Sequence, residues 1–128
     1  MASGSEVVLV VEDDPLLLQV IRDLLAMYGL QTVGATTSEQ ARALATTARP
    51  VVCLIDLMLS ESSGLELASQ LRASGLAETP MIAMSVSDEM LGAAERSGLF
   101  QQVLWKPFQV TELIACINES LTEPEDRD

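Results

Sequence analysis

The stretch Val51-Val52-Cys53-Leu54-Ile55-Asp56 places five apolar residues in a row and ends them with a carboxylate. Pro50 precedes the run, and residues 60–64 (Ser-Glu-Ser-Ser-Gly) follow it, so breakers of regular structure bound it on both sides. A short, uninterrupted apolar run predicts a strand buried on both faces, as in a parallel sheet. Ligands bind at the carboxyl ends of the strands in open α/β sheets, and this strand would place Asp56 at that edge.

Strand patterns alternate with helical patterns along the whole chain. The predicted strands cover residues 7–11, 31–35, 51–56, 81–84 and 103–105, that over 31–35 being the weaker. The predicted helices begin at Pro15, after Ser38, at Gly64, at Asp88 and at Val110. Five β-α units in succession predict a parallel sheet with helices on both faces. The chain therefore reads as one α/β domain.

Apolar spacing predicts which faces of the helices are buried. In the first helix, the stripe that we expect to face the sheet consists of Leu17, Val20, Ile21, Leu24, Leu25 and Tyr28. In the last helix, it consists of Leu113, Ile114, Ile117 and Leu121. Asp14 is expected to cap the first helix, Ser38 to cap the second, and Trp105 and Phe108 to be packing residues.

Composition limits the classes of partner. The chain has 128 residues, 48% of them hydrophobic, which is enough for one domain with a core, but only 3% are aromatic. Its 19 acidic and 7 basic residues give a formal net charge of −12. We therefore expect no direct binding to nucleic acid, because phosphate backbones are bound by clustered Lys and Arg. The same charge argues against anionic membrane surfaces.

The cysteines and the two ends of the chain carry the remaining expectations. Cys53 and Cys116 lie in apolar runs and are expected to be buried free thiols in a reducing cytoplasm. No run reaches the roughly 20 apolar residues that span a bilayer. Residues 1–5 lack the features of a signal peptide and are predicted to be a disordered leader. Residues 6–121 form the domain, and residues 122–128 an acidic tail that frays.

The ends of the predicted strands carry the residues with chemistry. Glu12 and Asp13 follow the first strand, Asp56 ends the third, Ser85 ends the fourth, and Lys106 follows the fifth. Clustered carboxylates repel one another unless a cation joins them, and oxygen-only ligands favour Mg²⁺ over Zn²⁺. Lys106 is the only lysine in the chain, and an ammonium is a compact charge suited to a phosphoryl oxygen. A carboxylate nucleophile, a divalent ion, a lysine and a hydroxyl together predict a site that takes a phosphoryl group.

These motifs resemble the receiver domain of two-component response regulators. They are residues 8–15 (Val-Leu-Val-Val-Glu-Asp-Asp-Pro), Ile55-Asp56 with Gly64 eight residues later, Ser85, and Lys106-Pro107-Phe108. The resemblance covers residues 6–121 and implies a flavodoxin-like fold with strand order 2-1-3-4-5 and five helices.

The resemblance also implies a role for each site residue. Asp56 would accept the phosphoryl group from a phosphohistidine of a sensor histidine kinase or a histidine phosphotransfer protein. Asp13 would bind Mg²⁺ directly, Glu12 through water, and Met58 through its backbone carbonyl. Lys106 would pair with the phosphoryl group, Ser85 would move toward it, and the Lys106–Pro107 peptide would be cis. The domain would not be an enzyme, although it would assist its own phosphorylation and dephosphorylation.

Four positions depart from the family pattern. Ser60 stands where proline is common, Ser63 where aspartate is usual, and Val86 where a small residue usually follows the hydroxyl. Val103 occupies the position of an aromatic switch residue. Coupling of a hydroxyl to an aromatic rotamer therefore cannot operate in its usual form.

Three other functions are compatible with parts of this pattern. A haloacid dehalogenase phosphatase would need a second Asp where Met58 stands, together with a cap domain. A flavodoxin-like electron carrier, with residues 60–64 as its phosphate loop, would need aromatic residues to stack on a flavin. The third is a receiver-like scaffold that binds an unknown downstream protein without phosphorylation, an alternative motivated by Val86 and Val103.

Overall fold

The computed structural model describes residues 6–121, which form a central sheet with helices on both faces. The strands are β1 (Val7–Val11), β2 (Gln31–Ala35), β3 (Val52–Asp56), β4 (Met81–Ser85) and β5 (Gln102–Trp105). The helices are α1 (Pro15–Met27), α2 (Ser38–Ala48), α3 (Gly64–Ala73), α4 (Asp88–Ser97) and α5 (Val110–Leu121). Strands and helices alternate strictly, as predicted.

The sheet is entirely parallel, and its strand order is β2-β1-β3-β4-β5. In the register, Leu9 of β1 lies beside Cys53 of β3, and Ile55 lies beside Ala83 of β4. Every residue of β3 and β4 is buried. The predicted doubly wound fold and its strand order are therefore confirmed, with Asp56 at the carboxyl end of the central strand.

The alternation of side chains along each strand divides the core between the two faces of the sheet. Val8 and Val10 pack with α1 and α5, through Ile21, Leu25, Leu113 and Ile117. Leu9 and Val11 pack on the other face with α2 and α3, through Ala41, Ala45, Leu67 and Leu71. Each of the Val, Leu and Ile side chains among them contributes about 1.5–3 kcal/mol when it is fully buried. Helices on both faces explain why the strands read as continuous apolar runs.

The starts of the helices are fixed by side-chain caps. The Asp14 carboxylate accepts a hydrogen bond from the Leu16 N–H at 3.0 Å, which confirms its predicted capping role. The prediction for the second helix is wrong by one residue, because the cap is Thr37, whose hydroxyl accepts from the Gln40 N–H at 3.1 Å. The Ser38 hydroxyl is instead paired with that of Ser62. A cap must lie just outside the helix, and Ser38 is already helical.

The predicted buried faces of α1 and α5 need correction. In α1 the buried residues are Leu18, Ile21 and Leu25, whereas Val20 and Tyr28 are half exposed. In α5 Ser120 is buried, whereas Leu121 is 37% exposed. Apolar residues occupy more than one side of α1, so spacing alone does not decide which stripe faces the sheet.

The aromatic residues near the end of β5 behave differently from one another. Phe108 packs against the core on the α1 and α5 face, as predicted. Trp105 is 57% exposed, so the prediction that it is a packing residue is wrong. It is the last residue of an edge strand, beside Ser85 in the register.

Both cysteines are free thiols. Cys53 is fully buried in β3, and burial raises the pKa of its thiol to about 12, against a small opposing effect of Arg72. Burial also raises the pKa of Cys116 in α5, which is only partly covered. Neither environment favours a thiolate, the reactive form of cysteine.

Two sequence-based expectations fall on parts of the chain that the structure does not describe. The predicted disordered leader, residues 1–5, and the predicted fraying tail, residues 122–128, both lie outside the described residues. Within residues 6–121, no helix is long and apolar enough to cross a membrane.

Candidate functional site

The residues predicted to form a site converge at the carboxyl edge of the sheet. Glu12 follows β1, Asp56 ends β3, and Lys106 follows β5. The parallel order β1-β3-β4-β5 brings the ends of these strands together. The sequence separation is large, since Lys106 lies 94 residues after Glu12 and 50 residues after Asp56.

Lys106 bridges two buried carboxylates. Its Nζ atom donates hydrogen bonds to Glu12 Oε1 and to Asp56 Oδ2, each at 2.9 Å. The exposed fraction is 2% for Glu12 and 4% for Asp56, and 16% for the Lys106 side chain. Buried charges are tolerated when they are paired, so one ammonium holds both anions in place. The peptide from Lys106 to Pro107 is cis, as the resemblance implies.

The environment shifts the proton affinities of this pair. Burial raises the pKa of Glu12 to about 7, and the negative charge of Asp56 adds to the rise, while the hydrogen bond from Lys106 opposes it. For Lys106, burial lowers the pKa, but the hydrogen bonds from its ammonium to Asp56 and Glu12 outweigh burial and raise the pKa overall. Lys106 therefore stays charged near neutral pH, while Glu12 is poised between its two forms.

Asp56 is held by backbone as well as by Lys106. Its second oxygen, Oδ1, accepts a hydrogen bond from the Met58 N–H at 2.9 Å. The following turn closes when the Gly64 N–H donates to the Leu57 carbonyl at 3.0 Å. A Cβ atom on Gly64 would collide with the Asp56 carbonyl and would lie 2.8 Å from Leu57 Cα. Gly64 is therefore required for the close approach of α3 to the strand end that carries Asp56.

Three carboxylates fit a divalent cation. Glu12, Asp13 and Asp56 each offer an oxygen, and these atoms lie within 4.8 Å of one another. When all three are ionised, their negative charges exceed the single positive charge of Lys106 by two, which a divalent ion would balance. Met58, whose N–H bonds to Asp56, has a carbonyl oxygen that accepts no hydrogen bond from any other residue of 6–121. All of these donors are oxygens, which suit hard ions such as Mg²⁺.

Asp13 has a hydrogen-bond partner that the sequence analysis did not assign. The Ser60 hydroxyl, in the loop after β3, donates to Asp13 Oδ2. In the sequence, Ser60 stands out only as a departure from the family pattern, at a position where proline is common. No signal in the sequence alone joins positions that are 47 residues apart.

The hydroxyl of Ser85 does not reach Asp56 in this conformation. Ser85 is buried, and its Oγ accepts a hydrogen bond from the Ser87 N–H at 3.0 Å. Within residues 6–121, it makes no hydrogen bond with Asp56. Val86 is exposed beside it, whereas Val103 packs against a cluster that contains Leu57 and Ala83. Val103 thus faces the core. An aromatic switch residue at this position would have to change its rotamer there.

The arrangement suits nucleophilic attack by a carboxylate. Asp56 presents its oxygens at the open edge of the sheet, beside a fixed ammonium and a group of cation ligands. Positive charge at this place would stabilise the negative charge of a phosphoryl group in the transition state.

Comparison with known families agrees with this chemistry. The sequence matches the family described as the response regulator receiver domain over residues 8–118. It is 33% identical over 117 residues to the polar-differentiation response regulator DivK of Brucella anthropi, covering 89% of this chain and 94% of that protein. It is 32% identical over 121 residues to the DNA-binding response regulator MtrA of Mycolicibacterium smegmatis, covering 93% of this chain and 52% of that protein.

Solved structures show the same architecture. The receiver domain of the Francisella response regulator 1452 superimposes with a TM-score of 0.81 at 31% identity, over 91% of this chain and 96% of that chain. The chemotaxis protein CheY4 of Vibrio cholerae superimposes with a TM-score of 0.83 at 25% identity, over 91% of this chain and 98% of that chain. The sequence match and the structural match therefore both cover nearly all of the chain and indicate the same family.

Proposed function

Because the chain belongs to the response regulator receiver family, a family of phosphorelay signalling, we propose that Asp56 accepts a phosphoryl group in a Mg²⁺-dependent reaction. The donor is a phosphohistidine on a sensor histidine kinase or a histidine phosphotransfer protein. The observation that supports this most is the position of Asp56 between the Lys106 ammonium, 2.9 Å from Oδ2, and the Met58 N–H, 2.9 Å from Oδ1.

In the proposed reaction, an Asp56 oxygen attacks the phosphorus and forms a P–O bond. The P–N bond breaks, and the imidazole of the donor leaves with the electron pair of that bond. Lys106 is already charged and within reach, so its ammonium can turn from the carboxylate to a phosphoryl oxygen. Ser85 would leave its bond to the Ser87 N–H to donate to the same group.

The residues that would hold Mg²⁺ are Glu12, Asp13, Asp56 and the Met58 carbonyl. Their oxygen-only chemistry and the excess of two negative charges support this assignment. The bound ion would supply Lewis-acid stabilisation of the phosphoryl oxygens. Among the described residues 6–121, Lys106 is the cation that pairs with Glu12 and Asp56.

The start of α1 is a suitable place for the donor protein to dock. Leu16 is 79% exposed, and Val20 follows it one turn later on the same side of the helix. Leu16 lies three residues from Asp13, so a partner seated there could bring its histidine to the site. Exposed apolar side chains near a reactive centre are typical of protein contacts.

This function makes the chain a phosphoacceptor and not an enzyme that acts on a separate substrate. Its output would be a contact with a downstream protein. Two unpaired cysteines fit a reducing compartment, which supports a cytoplasmic location.

The test is the intact mass of the protein after incubation with acetyl phosphate and Mg²⁺. We expect one added phosphoryl group in the wild type and in Asp14→Asn, whose carboxylate only caps α1. The adduct should be absent in Asp56→Ala and in the presence of EDTA. An adduct that persists in Asp56→Ala would place the modification elsewhere. No adduct from acetyl phosphate or a phosphohistidine donor, with partner binding unchanged in Asp56→Ala, would support the scaffold alternative.

A further inference from the structure

The carboxylate of Asp13 depends on one contact for its orientation. Glu12 and Asp56 are buried and share the Lys106 ammonium. Asp13 is only partly buried, and within residues 6–121 the Ser60 hydroxyl is the sole hydrogen-bond partner of its carboxylate. Without this contact, the side chain could rotate away from the other two carboxylates.

The Ser60 hydroxyl uses one oxygen of Asp13 and leaves the other available. The bond is made to Oδ2, so Oδ1 keeps its lone pairs for a cation. A hydrogen bond to the outer oxygen of a metal-binding carboxylate fixes the ligand and its direction.

The loop that carries Ser60 is itself held at several points. The hydroxyls of Ser62 and Ser38 are paired, which joins this loop to the start of α2. The Ser63 hydroxyl accepts from the Leu65 N–H at 3.0 Å and caps α3. Because these bonds already hold the loop in place, binding of the ion does not have to order it. A side chain on such a loop can therefore position a partner.

We propose that Ser60 is a positioning residue for the cation site, holding Asp13 in the orientation that binds Mg²⁺. This inference rests on the proposed function, because it assumes that Asp13 is a metal ligand. It assigns a role to a position where this chain departs from the family pattern. The contact adjoins a cavity of about 200 Å³ that is open to solvent. Water therefore competes with the hydroxyl, and we expect an effect at the lower end of the range for groups that support metal ligands.

The experiment is a titration of the full chain with Mg²⁺ at pH 8, without a phosphoryl donor. Binding is followed by calorimetry and by the fluorescence of Trp105, the only tryptophan, which adjoins Lys106. We expect Ser60→Ala to raise the Kd for Mg²⁺ about tenfold. Ser60→Thr keeps the hydroxyl and should bind within about twofold of the wild type. The matched control is Ser62→Ala, which removes a hydroxyl from the same loop. That hydroxyl bonds to Ser38 and not to Asp13.

The melting temperature without Mg²⁺ separates a positioning role from a structural one. Ser60→Ala should melt close to the wild type, because the lost bond is exposed. Equal or tighter Mg²⁺ binding in Ser60→Ala would overturn the inference, since the hydroxyl would then be idle or would compete with the ion. An equal loss of affinity in Ser62→Ala would also overturn it, because the effect would belong to the loop as a whole. If the wild type binds no Mg²⁺, the proposed metal site fails and this inference fails with it.

Discussion

The ammonium of Lys106 lies 2.9 Å from an oxygen of Glu12, although the two residues are 94 positions apart. Glu12 is 2% exposed, and its burial raises the pKa of its carboxyl to about 7. The contact therefore couples protonation of Glu12 to the charge of the whole site. Predictions about pH and about Lys106 follow from this coupling.

We predict that Glu12 makes stability depend on pH between about 4.5 and 7. The pKa of Glu12 is raised on folding from 4.5, so the folded state binds more protons than the unfolded state in this window. The contribution of Glu12 to stability is fully present below pH 4.5, which is its pKa in the unfolded state. It is lost as pH rises through about 7, which is its pKa in the folded state. As pH rises from 5 to 8, the wild type should lose this contribution, whereas Glu12→Gln should not. The free energy of unfolding of Glu12→Gln should therefore rise relative to that of the wild type across this range. Urea denaturation across this range measures the gain, with Glu66→Gln on the exposed side of α3 as the control for lost charge.

We predict that Lys106→Met folds but is less stable than wild type, most of all at pH 8. The change leaves two buried carboxylates without their cation, which should lower the free energy of unfolding by about 3–5 kcal/mol. At pH 5 Glu12 is protonated in the folded state, so the loss should be smaller. Adding Glu12→Gln to Lys106→Met should restore part of the stability at pH 8. A loss that is equal at both pH values would contradict this explanation.

We predict opposite effects for two glycine substitutions. Gly64→Ala would place a methyl group against the Asp56 carbonyl and Leu57, where the contacts are with backbone that cannot easily move. It should cost about 1–3 kcal/mol and reduce phosphorylation of Asp56. Gly92→Ala in α4 meets only the Arg96 guanidinium, at 3.2 Å, which can shift. It should stabilise the protein by about 0.5–1 kcal/mol, because alanine favours helix. Thermal denaturation and intact mass measure both effects.

We predict that Leu16→Glu slows phosphoryl transfer from a protein donor at least tenfold but leaves transfer from acetyl phosphate unchanged. A small donor needs no docking surface, whereas a phosphohistidine protein must seat beside Asp13. Met27→Glu, at the other end of α1, is the matched control, because Met27 is 78% exposed and far from the site in the helix. Equal slowing with both donors would mean that Leu16 supports the site and not the partner.

We predict that Arg72 stabilises the edge of the fold away from the site. Its guanidinium donates to the carbonyls of Leu99, Leu76, Ala77 and Thr79 at distances between 2.6 and 3.2 Å. These bonds join the end of α3 to the loops before β4 and β5. Arg72→Lys cannot replace a planar group with several donors and should cost about 1–3 kcal/mol. Exposed Arg96 provides the control, since Arg96→Lys should change the free energy of unfolding by less than about 0.5 kcal/mol. Mg²⁺ affinity should not change in either variant.

The sequence was informative wherever a pattern was local. Apolar runs located four of the five strands, whereas β2 (Gln31–Ala35) has a weaker pattern, and breakers and caps located the helices, with an error of one residue at the cap of α2. Helical spacing was less reliable in α1, where Val20 and Tyr28 belong to the predicted stripe but are half exposed. Apolar residues on several sides of that helix serve different purposes, core packing on one side and an exposed surface on another.

The identities of the acidic residues and of the single lysine determined what chemistry is available, because strand ends in a parallel sheet meet at one edge. Tertiary structure alone decided how these groups are paired. Lys106 holds Glu12 as well as Asp56, and Ser60 holds Asp13. These contacts join residues from different β-α units, so their distances depend on how strands and loops pack together. Local sequence patterns carry no information about such distances, whereas the folded chain sets them to within a hydrogen bond.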